Sequence, residues 1–242
     1  VYTQRMCEIE RRHAMKRSEI NSQIKKAIAF ANSLGFKLPP FTDWTPEEWN
    51  NKNHEYDEIR ENMLGWDVTD YGMGCFETLG LVLVTIRNGN QKMPDKYPKP
   101  YAEKIFILQP GQVSPMHFHW YKSEDIINRG GGNILVQLYN RTEDNKLADT
   151  DVLVKTDGRH YFVPAGTKIR LTPGESISFE KHVYHEMTIE ENTGAVLCGE
   201  VSMCNDDNTD NYFLQSLGRF PEIEEDEPAF RLLCTEYPAA QD

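Results

Sequence analysis

Cysteine is sparse and unpatterned. The five residues Cys7, Cys75, Cys198, Cys204 and Cys234 are an odd number without any C-x-x-C, which fits neither a disulfide framework nor a zinc knuckle. Reduced, structural thiols are expected. Long apolar runs are missing too: the most continuous one, Leu79 to Ile86, falls far below the roughly 20 residues of a membrane-spanning helix. No apolar segment with a cleavage site opens the chain. Positive charge is in deficit, with 26 Lys and Arg against 38 Asp and Glu and a net charge of −12. That balance opposes counterion-release binding to nucleic acid and attraction to anionic membranes. No internal repeat or low-complexity linker divides the chain. The expectation is a soluble, cytoplasmic protein with neither nucleic acid nor membrane as partner.

What is present fits one domain with an elaborated end, since 242 residues lie near the upper size of a single core. Residues 1–14 begin with Val1, are charged and show no periodicity, and read as an appended or processed extension. Residues 15–64 form a helical segment. Apolar residues at Ile20, Ile24, Ala27, Ile28, Ala31 and Leu34 share one helical face, with Ser18 expected as N-cap and Gly35 at C′. Pro39-Pro40 stops that helix. Thr45-Pro46-Glu47-Glu48 then supplies an N-cap, a proline at N1 and a capping-box glutamate, predicting a second helix to about Leu64.

Beyond Gly65 the texture changes to short β-branched and aromatic runs: 66–76, 79–87, 104–109, 114–120, 133–139, 152–155, 160–163, 168–171, 176–179, 185–190 and 195–204. Turn signals at Asn88-Gly89-Asn90, Thr156-Asp157-Gly158, Pro164-Ala165-Gly166 and Thr172-Pro173-Gly174 separate some of them. Many strands at about ten-residue spacing predict an antiparallel barrel or sandwich over residues 65–242, ending in an acidic tail.

The chemistry gathers around Met116-His117-Phe118-His119-Trp120. On a strand, imidazoles at i and i+2 project from one face, while Phe118 and Trp120 point to the other. Glu124 follows a short turn later and brings a carboxylate to the same point, and a histidine from a later strand completes a shell of three imidazoles and one carboxylate. Such ligands without thiolate suit Mn²⁺, Fe²⁺, Co²⁺, Ni²⁺ or Zn²⁺, and leave two octahedral positions for a chelating substrate. Taken alone, the H-x-H tripeptide is equally at home as two ordinary strand histidines. The spacing Gly111, five residues, His117-x-His119, four residues, Glu124, six residues, Gly131 resembles the first cupin motif at every fixed position. The second motif, counted from Gly174, places a proline at 180, a glycine at 182 and the ligand at 185. His185 fits, while Glu180 and His182 depart from the pattern, and His182 is a competing ligand.

A longer run, from His117 through Tyr121-Lys122-Ser123-Glu124 to Gly132, joins Gly199-Glu200-Val201-Ser202 leading into Asn205-Asp206-Asp207. With Met15 to Ile20 and Lys37-Leu-Pro-Pro-Phe41, these segments resemble the D-lyxose ketol-isomerase family of cupins over about residues 15 to 237. The resemblance implies a mainly β, cupin (jelly-roll-like) β-barrel with N-terminal α-helices. It implies a bacterial sugar isomerase, usually manganese-dependent, that interconverts D-lyxose with D-xylulose and often D-mannose with D-fructose. By it, His117, His119, Glu124 and His185 are the metal ligands, and a homodimer is expected. The residues themselves do not rank Mn²⁺ above Co²⁺, Fe²⁺ or Zn²⁺.

Aldose–ketose isomerisation moves the C2 proton of an open-chain sugar to C1 through a cis-enediol(ate), with charge building on O1 and O2. A metal chelating both oxygens stabilises that charge, and a separate base must reach C1 and C2. Glu200 is the leading base, because a lone carboxylate in the apolar run Ala195 to Val201 is costly unless used; a structural hydrogen-bonding role is the competing reading. Lys122, between His119 and Glu124, is expected to donate to a sugar oxygen or, with its pKa lowered by a nearby cation, to shuttle a proton; its plainer reading is a solvated loop lysine. Asp206, Asp207 and Arg219 are candidates to bind sugar hydroxyls at the rim. The absence of a basic cluster favours a small neutral sugar, though Lys122 and Arg129 keep a phosphorylated one open. Gly130-Gly131-Gly132 lacks the Lys-Ser/Thr of a phosphate loop and reads as a tight turn. His13, His54 and His160 lack convergent partners. Trp44, Trp49 and Trp66 read as packing anchors. An Fe²⁺ dioxygenase or a non-catalytic sugar-binding cupin would use the same ligands.

Overall fold

The computed structural model describes residues 14–241, so Cys7, His13 and nearly all of the expected extension lie outside the described residues. The first strand, β1 (Met15–Lys16), leads into helix α1 (Arg17–Ser33). Ile20, Ile24, Ala27 and Ala31 are all buried on one side of α1, and Gly35, with φ +74°, follows its end as expected. Ser18 is not the N-cap: β1 pairs in parallel with Ile223–Glu224 of the tail, and the helix begins two residues earlier than expected, with Lys16 at the N-cap. Ser18 instead donates through its N–H and hydroxyl to Asp226 at 2.8 and 2.6 Å. Buried Arg17 ties the same tail down through Glu225 and Glu236.

The expected second helix is broken into α2 (Pro46–Trp49), a 3₁₀ turn (His54–Tyr56) and α3 (Asp57–Glu61). Its capping box forms, with Glu48 N–H donating to Thr45 Oγ1 at 3.2 Å and Thr45 N–H to Glu48 Oε2 at 2.8 Å. Side chains then compete with the helical ladder: Asn53 Oδ1 accepts from Glu55 N–H, and the Arg60 guanidinium donates to the carbonyls of Lys52 and Asn53. Trp49 and Trp66 are packing anchors, the first stacked on Tyr237 and the second donating to Thr42 O at 2.8 Å.

The strands continue as β2 (Gly65–Thr69), β3 (Leu81–Arg87), β4 (Tyr101–Leu108), β5 (Val113–His119), β6 (Glu124–Gly131) and β7 (Ile134–Asn140). They close with β8 (Val152–Thr156), β9 (Arg159–Val163), β10 (Lys168–Leu171), β11 (Ser176–Phe179), β12 (Val183–Ile189), β13 (Val196–Met203), β14 (Asn211–Phe213) and β15 (Ile223–Glu224). A short helix, α4 (Phe76–Leu79), occupies part of what was expected as strand 66–76 and 79–87. Strand β6 was not expected, because Asp125, Asn128 and its glycines read as turn residues. Pairing with β11 on one side and β13 on the other holds it extended.

Two sheets face each other, a five-stranded one in the order β10-β7-β12-β5-β14 and an eight-stranded one in the order β2-β3-β4-β13-β6-β11-β8-β9. Leu83, Phe106 and Ile126 from the large sheet meet Val136, Leu138 and Met187 from the small one in the core between them. Helix α1 covers the other face of the large sheet, where Ile20 and Ile24 join Val82, Ile107 and Leu197. At roughly 1.5–3 kcal/mol per fully buried aliphatic side chain, Ile20 and Ile24 alone make α1 part of the fold. The result is the mainly β, cupin (jelly-roll-like) architecture with N-terminal helices. Cys198, Cys204 and Cys234 are buried, reduced thiols.

Candidate active site

The inner faces of both sheets contribute to one buried cluster. On the small sheet, His117 of β5 and His185 of β12 are direct register partners, and His119 lies two residues further along the same face. Glu124, the first residue of β6, reaches in from the large sheet. All four side chains are buried, and their ligand atoms lie within 4.8 Å of one another. Phe179 stacks on His185 with ring centroids 4.2 Å apart, and Phe213 lies beside His117.

The tautomers of these histidines require something at their centre. His117 Nδ1 donates to Pro115 O at 2.6 Å and His185 Nδ1 to Val183 O at 3.1 Å, so in each ring Nε2 is the nitrogen turned toward the cluster. His185 Nε2 lies 3.1 Å from Glu124 Oε1 and is buried without a hydrogen-bond partner. Burial first, and then its histidine neighbours, hold the His117 imidazole well below the ordinary range, so it stays neutral. Burial and the charge of Lys122 push His119 down as well. Three imidazoles and a carboxylate converging on one point are the donor set of a divalent cation, and the residues fit that group.

Next to the cluster lies a chain of charges. Lys122 Nζ is 2.9 Å from Glu124 Oε2, 2.7 Å from Glu200 Oε1 and 3.2 Å from Asn205 Oδ1. Glu200 Oε1 also accepts from Ser202 Oγ at 3.1 Å and lies 3.7 Å from Lys104 Nζ. Lys104 in turn reaches Asp207 Oδ1 at 3.4 Å, and Asp207 Oδ2 accepts from Arg219 at 2.9 Å. Arg219 donates to Asp67 as well, while its Nη1 is buried without a partner. Burial acts against the ionised form of Asp207, but Lys104, Arg219 and Lys122 outweigh it and hold that carboxyl well below its usual range. Asp67 goes the other way, because its burial exceeds the pull of Arg219. One cavity is lined by His117, His119, Glu124, Lys122, Glu200 and Arg219, with Leu83, Phe106, Ile126 and Met187 as apolar wall.

The structure brings His117, His119, Glu124, His185, Lys122, Glu200, Asp207 and Arg219 together, and departs from the sequence reading at Lys122 and Asp206. Lys122 is not a solvated loop lysine: it is buried, and although burial lowers its pKa, Glu124 and Glu200 outweigh burial and hold the ammonium above the ordinary lysine range. Its three N–H groups face three oxygens, which leaves none for a sugar. Asp206 does not line this cavity; it pairs with Lys92 at 2.9 Å and caps the turn at Asn208. His182, the competing ligand, packs against Phe118 and Trp120 on the outer face of the small sheet. It adopts φ +68°, the left-handed conformation that explains why the motif carries glycine there.

Sequence reasoning missed Lys104, Asp67 and Asp210. Lys104 had a signal: it is a charge that opens the apolar run Ile105 to Leu108 of β4, directly opposite Glu200 in the register of β4 and β13. Asp67 likewise sits in the wholly buried strand β2. Asp210 had none, since it lies in an acidic, turn-rich segment.

The family described as D-lyxose isomerase matches residues 15–237. A D-lyxose/D-mannose isomerase of Escherichia coli O157:H7 is 47% identical over 225 residues, covering 92% of this chain and 98% of that protein. One from Serratia proteamaculans is 46% identical over 224 residues, with the same coverage of both chains, 92% and 98%. Among solved structures, Cellulomonas parahominis L-ribose isomerase with L-ribose superimposes with a TM-score of 0.56 at 16% identity, over 88% of this chain and 100% of that one. Acinetobacter sp. DL28 L-ribose isomerase in complex with L-ribose gives 0.57 at 12%, over 89% and 100%. At such identities the structural likeness is one of fold.

Proposed function

The chain belongs to the D-lyxose isomerase family, and on that premise we propose that it is a metal-dependent aldose–ketose isomerase interconverting D-lyxose with D-xylulose, and D-mannose with D-fructose, through a cis-enediol(ate). The observation that carries this reading is a second buried carboxylate, Glu200, in the same cavity as the cluster but outside it. His117, His119, Glu124 and His185 would hold one divalent metal per chain, Mn²⁺ first, with Co²⁺, Fe²⁺ or Zn²⁺ as other occupants. When bound, that ion supplies Lewis-acid polarisation of the sugar's O1 and O2.

The chain's own residues do the rest. Glu200 is the base: its Oε1 accepts from Lys122 and Ser202, so Oε2 takes the C2 proton and returns it to C1, while the hydroxyl proton passes from O2 to O1, leaving a carbonyl at C2 and a hydroxyl at C1. Lys122 balances the charges of Glu124 and Glu200 and fixes both carboxylates at a set separation, a positioning role in place of direct donation. Arg219 offers its unpartnered Nη1 to a sugar hydroxyl, and Asp207 holds Arg219 and Lys104 in place at that end. The apolar wall of Leu83, Phe106 and Ile126 excludes water from the carbanionic centre. A small neutral substrate suits a cavity whose cations are all matched by carboxylates. Homodimer assembly and a cytoplasmic location belong to the same proposal; no described helix is long and apolar enough to cross a membrane.

Glu200→Gln tests the assignment. Expected is a loss of turnover of two orders of magnitude or more, with full metal content by elemental analysis. Near-normal turnover would place the base elsewhere.

A further inference from the structure

Two of the three histidines in the cluster fix their rings with backbone carbonyls of their own strands, those of Pro115 and Val183. His119 has no such carbonyl. Its Nδ1 is buried without a hydrogen-bond partner and lies 3.6 Å from Asp210 Oδ2, which is also buried without a partner. A buried donor and a buried acceptor are each costly to leave unmade, so two such groups facing each other are complementary.

Asp210 is built into this place. It is 3% exposed, its Oδ1 accepts the Tyr121 N–H at 2.6 Å, and its carbonyl accepts the Trp120 N–H at 3.0 Å. It immediately precedes β14, whose Asn211 pairs with His119 in register. The backbone on both sides therefore holds the carboxylate beside the imidazole.

The 3.6 Å separation is longer than a hydrogen bond, and its cause is visible at the other ring nitrogen. His119 Nε2 lies 3.2 Å from Glu124 Oε1. A neutral imidazole has one N–H, so the contacts to Glu124 and to Asp210 compete for it. With the Nε2 lone pair given to a cation, the proton belongs on Nδ1.

We infer that Asp210 is a positioning residue for the metal centre, accepting the Nδ1–H of His119 and fixing the tautomer that turns Nε2 toward the ion. This rests on the reading of the four-residue cluster as a metal site. It ties metal affinity to residues 205–210, the segment that also supplies Asn205 to Lys122 and Asp207 to Arg219.

The test titrates metal-free wild type, Asp210→Asn and Asp210→Glu with Co²⁺ and Mn²⁺, reading Kd and the visible Co²⁺ spectrum, with the melting temperature of each metal-free protein beside them. Asparagine keeps an oxygen for the Tyr121 N–H and removes the charge, so the metal-free melting temperature stays near wild type. Expected are a Kd weakened about 10–100-fold, a shifted Co²⁺ spectrum, and partial recovery of affinity in Asp210→Glu. Wild-type affinity in Asp210→Asn would overturn the inference. Should that variant melt lower without metal, the spectrum at saturating Co²⁺ decides: an unchanged one refutes the role and a shifted one supports it. Wild type that binds no Co²⁺ would overturn the metal site itself, a distinguishable failure.

Discussion

Replacing Lys122 with methionine removes a cation from between two buried carboxylates and keeps the volume of the side chain. Lys122, Glu124 and Glu200 are 2%, 5% and 6% exposed, so solvent screens none of them appreciably. Removing one partner of a buried ion pair leaves the other charge uncompensated, at about 3–5 kcal/mol. Here two carboxylates lose their partner, and only Glu200 has a second cation near it, Lys104 at 3.7 Å. The metal-free protein should therefore lose about 3–5 kcal/mol, which at roughly 2–4 °C per kcal/mol for a chain of this size lowers Tm by about 6–20 °C. Urea unfolding followed by circular dichroism measures it. Adding Glu200→Gln to Lys122→Met removes one stranded charge and should recover part of the loss, a non-additivity expected of residues in contact. The ammonium is held above its ordinary value, so its contribution is complete below the unfolded-state pKa of about 10.4 and fades only as pH rises beyond it. A loss under about 1 kcal/mol at neutral pH, or a double variant as unstable as the sum of its parts, would refute the reasoning.

Other outcomes follow from the same contacts. Asp207 is depressed in the folded state, so its stabilisation is present above about pH 4 and is lost as pH falls through the folded value; Asp207→Asn should flatten the acid limb of stability against pH. Arg219→Lys keeps a cation near Asp67 and Asp207 but removes the free Nη1, and should raise KM for the sugar about tenfold or more with a smaller change in kcat; an unchanged KM would remove Arg219 from the sugar site. Gly131→Ala should destabilise by at least about 1–3 kcal/mol in thermal unfolding, because φ is +93° and a Cβ there collides with the carbonyl of Ala195.

Local periodicity carried α1 and most of the strands, because a buried helical face and strand alternation are written in adjacent residues. It failed where tertiary pairing overrode local preference. Strand β6 is extended because β11 and β13 flank it, and its Asp, Asn and Gly residues say turn. The segment after Trp49 breaks because Asn53 and Arg60 take the backbone groups that a continuous helix needs. The four-residue cluster was legible since motif spacing encodes which residues face inward on three strands. What joins it to the rest of the cavity was not, for the ion chain from Lys122 to Arg219 links residues up to 152 positions apart, as in the pairing of Arg219 with Asp67. Strand register alone could have shown one link, the opposition of Lys104 and Glu200.

The most direct measurement is ketose formation from D-lyxose and D-mannose by protein stripped with a chelator and then resupplied with Mn²⁺, with His117→Ala treated in parallel. The account predicts no ketose from the stripped protein, D-xylulose and D-fructose after resupply, and no recovery in the variant. Full turnover by the stripped protein, or no conversion of either aldose after resupply, would contradict it.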